Sequence, residues 1–347
     1  KLLRDRWPLE FFLEGGRSRT GKLLPPKLGL LNIVVDAALG LGEHKTFFVP
    51  ISVGYERLVE EEAFVSELSG GEKKKEDVRG LLGTTKLLGQ RYGRISVQFG
   101  AIQTTDELLA EFSSDQAKVT PARRRAIVTR LAYRVMNEIN RVGAVTPGAL
   151  VATALLTHGK RGTSYDGLVT QCEELGKVLH DFGARFSPSL AHPETREAQL
   201  NATSHGDGED VRIRLEAIRE ACDLFVRAGN LEAHLPGDAG KRAGKLKGAL
   251  PGAILVVPDE ARLSLDLAKN GVVHFFVARG LVATALASAP KSPLPAAVLA
   301  ERVQTLSRLF KYEFTFRTDA SFSQIFAETL SEMTNAGEIV VSRAPDG

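Results

Sequence analysis

The chain has 347 residues, 43% of them apolar, and a net charge of +3 at pH 7. That size and apolar share support buried cores in two domains and exclude a disordered or fibrous chain. Two cysteines, Cys172 and Cys222, exclude a disulfide framework and lack metal-ligand spacing, so both are expected in helix cores in a reducing compartment. A small positive charge without an aromatic-laced basic patch excludes nucleic acid as a partner.

In chain order, Leu9 to Leu13, Thr46 to Val53 and Ile95 to Phe99 read as strands. A helix is expected from Leu28 to Leu41, with Leu31, Val34, Val35 and Ala38 on one face and Gly40 and Gly42 ending it. The alternation of strand, loop and helix is that of an α/β domain. The polar stretch Ser113 to Lys118 closes it, giving an expected boundary between residues 1–117 and 118–347.

Beyond the boundary the period becomes helical. Ile127, Leu131, Val135, Ile139 and Val142 predict a long amphipathic helix from Pro121 to Arg141, with Thr120 as N-cap and Pro121 at its first position. Arg123 to Arg125 then fall in a first turn, where cations oppose the helix dipole and call for compensation nearby. Further helices are expected at Pro147 to Thr157, Tyr165 to Phe182, Val211 to Ala228, Pro258 to Asn270, Val272 to Ala289, Pro295 to Phe310 and Phe322 to Asn335. Short strands are expected at Ala253 to Val257 and Glu338 to Ser342, and surface linkers at Ser187 to Asp210 and Gly237 to Gly248. Gly240 to Leu246 lacks the spacing and the hydroxyl residue of a phosphate-binding P-loop, which rejects a nucleotide site there. His274, alone on an apolar helix, is expected as a core residue.

The chemistry concentrates near the start. Glu14-Gly15-Gly16-Arg17-Ser18-Arg19-Thr20-Gly21-Lys22 runs on to Lys27 with no acid after Glu14, placing four cations within eleven residues. Arginine forks grip phosphate oxygens in pairs, and glycines let backbone N–H groups approach an anion. A dianionic phosphate is the natural guest of such a loop.

Glu14 to Arg19, then Lys27-Leu28-Gly29, then Phe48-Val49-Pro50-Ile51-Ser52-Val53-Gly54-Tyr55-Glu56, resemble in order and spacing two sequence blocks of the glycerol-3-phosphate acyltransferases. Leu58 to Gly100 is similar to the large membrane-associated bacterial enzymes and to dihydroxyacetone-phosphate acyltransferases. The resemblance continues more weakly through Lys269-Asn270, His274 and Phe310 to Phe316.

It implies the later part of a glycerolipid-acyltransferase α/β sheet with flanking helices, followed by a mostly helical C-terminal domain. The implied reaction passes an acyl group from acyl-CoA or acyl carrier protein to the sn-1 hydroxyl of glycerol 3-phosphate, the first step of phospholipid synthesis, with no cofactor and no metal. Arg17 and Arg19 are then expected at the acceptor phosphate, with Ser18 as hydroxyl donor, Glu14 on substrate hydroxyls or orienting an arginine, Gly15 giving backbone room and Lys27 adding charge. Pro50, Ser52 and Tyr55 fall on the acyl-donor side. Pro50 ends or bends a strand there, while Ser52 and Tyr55 are either donor-facing polar groups or packing residues with satisfied hydroxyls.

The family's catalytic His-x-x-x-x-Asp block is expected upstream of residue 1, so no catalytic residue is assigned here and the isolated chain is expected to be inactive. His205 and Asp210 show that spacing, but seven histidines supply it by chance about a third of the time, and a glycine-broken linker is the wrong context.

No run of eighteen apolar residues occurs, since Gly271 to Ala289 is broken by His274 and Arg279. Membrane contact is thus expected to be peripheral, and the resemblance implies the cytoplasmic face of the inner membrane. Lys73 to Lys75 and Arg123 to Arg125 read either as solvated faces or as contacts to anionic lipid. Dihydroxyacetone phosphate as acceptor, and a non-catalytic phosphate- or lipid-binding module, are the alternatives.

Overall fold

The computed structural model describes residues 1–16, 18–41, 45–56, 65, 93–112, 120–157, 162–196, 212–235, 252–289, 293–317 and 320–342. Helices dominate and the sheets are small. Helix α1, Leu28–Leu39, turns Leu31, Val34, Val35 and Ala38 inward as its spacing predicts. The expected strand at Thr46 to Val53 is split by Val49 and the buried Pro50 into β1, Phe47–Phe48, and β2, Ile51–Tyr55. β2 pairs antiparallel with β3, Ile95–Phe99, and β1 with β4, Gln103–Thr104.

Leu9 to Leu13 is not a strand. Among the described residues no neighbour supplies a ladder for it, and only Leu13 of the segment is buried. Glu338 to Ser342 likewise forms no strand, and Val340 and Val341 are exposed.

Helix α2, Thr105–Phe112, is an addition to the sequence reading. Helix α3 runs from Pro121–Val142, one residue beyond expectation, with the Thr120 hydroxyl accepting the Arg123 N–H at 3.3 Å. The compensation called for in its first turn is present on α1, where Asp36 lies 3.1 Å from Arg124. α1, α2 and α3 share a first core containing Leu13, Leu31, Val35, Phe48, Leu108, Ile127 and Leu131. That core joins residues on both sides of position 117.

A second core is built around α4, Pro147–Thr157, whose residues are buried on all sides through Leu155. An apolar helix of this kind is stable only when surrounded. Around it pack α5, Tyr165–Asp181, α6, Leu215–Ala228, and α7, Arg262–Asn270, the last preceded by a single 3-10 turn at Asp259–Ala261. Two small sheets edge this core. β5, Ala144–Val145, pairs parallel with β7, Arg185–Phe186, and β9, Ile254–Val256, lies between β6, Gly162–Ser164, and β8, Glu232–His234.

The linker expected from Ser187 is in its first part core, since Ser187, Ser189, Leu190 and Ala191 are buried. A short turn closed by the Ser187 carbonyl, which accepts the Leu190 and Ala191 N–H groups at 2.9 Å, satisfies the backbone there. Cys172 and Cys222 are buried on α5 and α6 as expected.

The third core joins α8, Val277–Ala287, α9, Ala296–Leu309, and α10, Phe322–Asn335, which opens with a Ser321/Gln324 capping box. Arg279 ties this group to the rest. It stacks 4.1 Å over the Phe182 ring and pairs with Glu338 at 2.6 Å and Glu332 at 3.5 Å. Among the described residues no single helix is long and apolar enough to cross a membrane. The Asp259–Asn270 and Val273–Ala287 helical segments reach that composition only together, bent by 72°.

Candidate functional site

The loop from Leu13 to Lys27 is closed by short-range bonds and held by distant ones. Leu13 sits in the first core, and its carbonyl accepts the Lys27 N–H at 2.7 Å, which brings the two ends of the loop together. Within the loop a Glu14 carboxylate oxygen accepts the Leu24 N–H at 2.8 Å. Burial raises the Glu14 carboxyl pKa above its ordinary value, and the Leu24 bond only partly opposes this. Glu14 is thus engaged as a loop staple.

Gly15 takes φ +59°, and a Cβ placed there would lie 2.9 Å from Lys27 Cδ, so the lysine stem lies against bare backbone. The Ser18 hydroxyl donates to the Lys22 carbonyl, an engagement internal to the loop.

Two distant segments then clamp the middle of the loop. Asn270, at the end of α7, donates its side-chain amide to the Thr20 carbonyl at 2.7 Å. Gly21, at φ +75°, passes so close to α7 that a Cβ would sit 2.6 Å from the Leu267 carbonyl oxygen. On the other side the Lys22 ammonium pairs with Glu313 at 2.8 Å and lies 5.0 Å from the centre of the Phe314 ring. Lys22 is therefore spent on docking. Asn270 and the Phe310 to Phe316 segment, distant in sequence, meet at this one loop.

Of the remaining cations, Arg19 is half-buried and Lys27 is exposed, its ammonium without an ion-pair partner among the described residues. Arg17 lies outside the described residues, as do His205, Asp210, Lys73 to Lys75 and the Gly240 to Leu246 segment.

The second block is arranged differently. Pro50 is buried, and its carbonyl accepts the Gly100 N–H at 2.8 Å, bridging the break between β1 and β2. Ser52 and Tyr55, separated by an odd number of strand positions, point to opposite faces of the hairpin. Ser52 is half-buried, its hydroxyl 3.6 Å from where a Cβ of Gly143 would be, and Tyr55 is exposed on the outer face. The hairpin does not bring the two together.

Glu56, which closes that block, was not singled out. It is buried, with one carboxylate oxygen accepting the Arg94 N–H at 3.0 Å and the other the Ser189 hydroxyl at 2.8 Å. Arg94 extends its guanidinium to Glu220 at 3.2 Å and stands 3.9 Å from Glu56. A Cβ on Gly148 would lie 2.7 Å from the Glu56 carbonyl oxygen, so the start of α4 rests on this residue. The signal was its place in the block, an acid directly after a strand.

His274 is packed as expected. Its Nε2 is 2.9 Å from the Asn140 carbonyl, its ring lies beside Phe275, and burial holds its pKa down at about 4. The imidazole is neutral near pH 7 and Nε2–H donates to that carbonyl.

Comparison with known proteins identifies the family. Residues 64–346 match the family model described as the glycerol-3-phosphate acyltransferase C-terminal region, and residues 1–54 match the acyltransferase model. The chain belongs to the glycerol-3-phosphate acyltransferase family. It is similar to the glycerol-3-phosphate acyltransferase of Ectopseudomonas mendocina, 38% identical over 293 residues, which are 82% of this chain and 31% of that protein. One from Pseudomonas fluorescens is 37% identical over 294 residues, again 82% of this chain and 30% of the relative. One from Xylella fastidiosa is 36% identical over 186 residues, 52% of this chain and 22% of the relative. The chain thus spans less than a third of the length of these relatives.

Proposed function

We propose that this chain is the acceptor-binding part of a longer enzyme that transfers an acyl group from acyl-CoA or acyl carrier protein to the sn-1 hydroxyl of glycerol 3-phosphate. The observation that supports this is the double clamp on Thr20, Gly21 and Lys22, because it fixes a cationic loop whose sequence matches the family. Holding the phosphate delivers the hydroxyl to a general base at high effective concentration. A hydroxyl with a pKa near 15 needs such a base, and a histidine with its aspartate in the remainder of the polypeptide would serve.

Arg17 and Arg19 are assigned to the phosphate, with Lys27 at the mouth of the loop. Their planar guanidinium forks suit paired contacts with phosphate oxygens. Pro50 and the β2 strand lie towards the acyl donor. The enzyme acts at the cytoplasmic face of the inner membrane by peripheral contact, in phospholipid synthesis.

Steady-state kinetics of Arg19→Ala in the full-length enzyme test the assignment. The apparent KM for glycerol 3-phosphate should rise about tenfold or more, since a charge-assisted contact contributes roughly 1.5–3 kcal/mol. A change confined to the acyl-donor KM would contradict it, and acylation of dihydroxyacetone phosphate alone would move the acceptor to the ketone.

A further inference from the structure

The β2–β3 hairpin is folded with its polarity reversed. In an antiparallel sheet with one covered face, the apolar residues normally face the core and the polar ones face water. Here Ser52, Gly54, Ser96 and Gln98 face inward, towards the end of α3 and β5, where a Cβ on Gly54 would meet Thr146 Cγ2 at 3.7 Å. The outer face carries three apolar cross-strand pairs, Ile51 with Phe99, Val53 with Val97 and Tyr55 with Ile95, at 42% to 64% exposure. α1 buries its apolar stripe but also exposes Leu30 and Ile33.

We propose that this outer face is the seat of the N-terminal part of the full-length polypeptide, which covers the hairpin as the second layer of the α/β domain. The matched family model is a C-terminal region, and the relatives are more than three times as long as the part this chain matches, so they contain ample chain for that layer. A tethered partner needs only a modest patch, because tethering raises its effective concentration to the millimolar range. A second copy would need about 20–30 residues a side. Hydrocarbon fits poorly as well: among the described residues β2 and β3 pair only with each other, and their outer backbone groups would be left without partners in lipid. The proposal rests on family membership and does not depend on which acceptor is acylated.

The test places photoreactive benzoylphenylalanine at position 97, and separately at position 51, of the full-length enzyme in its membrane, with position 98 as the inward-facing control. After irradiation, peptide mapping should show cross-links from 97 or 51 to residues N-terminal to this chain, and from 98 to the chain itself. Phospholipid adducts, cross-linked dimers, cross-links only within this chain, or no cross-link from either outer position would each overturn the proposal. These outcomes are read whether or not Arg19→Ala alters the acceptor KM.

Discussion

The side-chain amide of Asn270 donates to the carbonyl of Thr20 across 250 positions of sequence, at 2.7 Å. This bond joins the C-terminal helices to the cationic loop, so the helical region helps to hold that loop in place.

Gly21→Ala should undo that docking. The new Cβ would meet the Leu267 carbonyl oxygen at 2.6 Å, and φ +75° adds about 1–2 kcal/mol of left-handed strain. In the full-length enzyme the acceptor kcat/KM should fall by about tenfold or more. Unchanged kinetics would show that the loop works without its clamp.

The half-buried imidazole of His274, bonded to the Asn140 carbonyl, makes stability depend on pH. Its folded pKa is about 4, below the ordinary 6.5, so between those values the unfolded chain binds more protons and stability decreases as pH falls. Above about pH 6.5 the contribution is complete. Urea midpoints at pH 7.5 and pH 5 should differ less in His274→Gln than in the parent protein, because the amide keeps a donor for Asn140 and cannot titrate in this range.

Neither thiol should react in the native state. Burial pushes the Cys222 pKa up to about 12 and raises that of Cys172 as well, leaving almost no thiolate near pH 8. Labelling with a disulfide reagent should reach both only after denaturation, and fast native labelling of either would mean that the second core opens locally.

Glu56 and Ser189 should be strongly coupled. Removing either partner strands a buried polar group, and a hydrogen bond to a charged group contributes roughly 1.5–3 kcal/mol. In a double-mutant cycle of Glu56→Ala and Ser189→Ala, the second substitution should cost much less than the first. Additive losses would show that the bond is energetically idle.

The helices were legible because their signals are local. The four-residue spacing from Ile127 and the Thr120-Pro121 cap place α3 within one residue, and α10 is bounded as expected by its cap at Ser321. Strands depend on partners, which one sequence does not display. Leu9 to Leu13 has strand composition and no ladder among the described residues, while two- and three-residue strands such as β5 and β8 carry no period at all. The cationic loop was visible as composition. That Lys22 belongs to Glu313 and Ser18 to a backbone carbonyl was not, because those partners are decided by packing.

Arg279 and Lys22 form contacts of the same chemistry in different surroundings. Arg279 has carboxylate partners 61% and 35% exposed, Glu332 and Glu338, but also stacks on Phe182, whereas Lys22 pairs with a Glu313 side chain that is 55% exposed. Mobile ions screen the ion pairs with exposed carboxylates more than the contact of Arg279 with the Phe182 ring. Added salt therefore loosens the grip of Glu313 on the cationic loop, while the stacking of Arg279 on Phe182 still holds α8 to the second core.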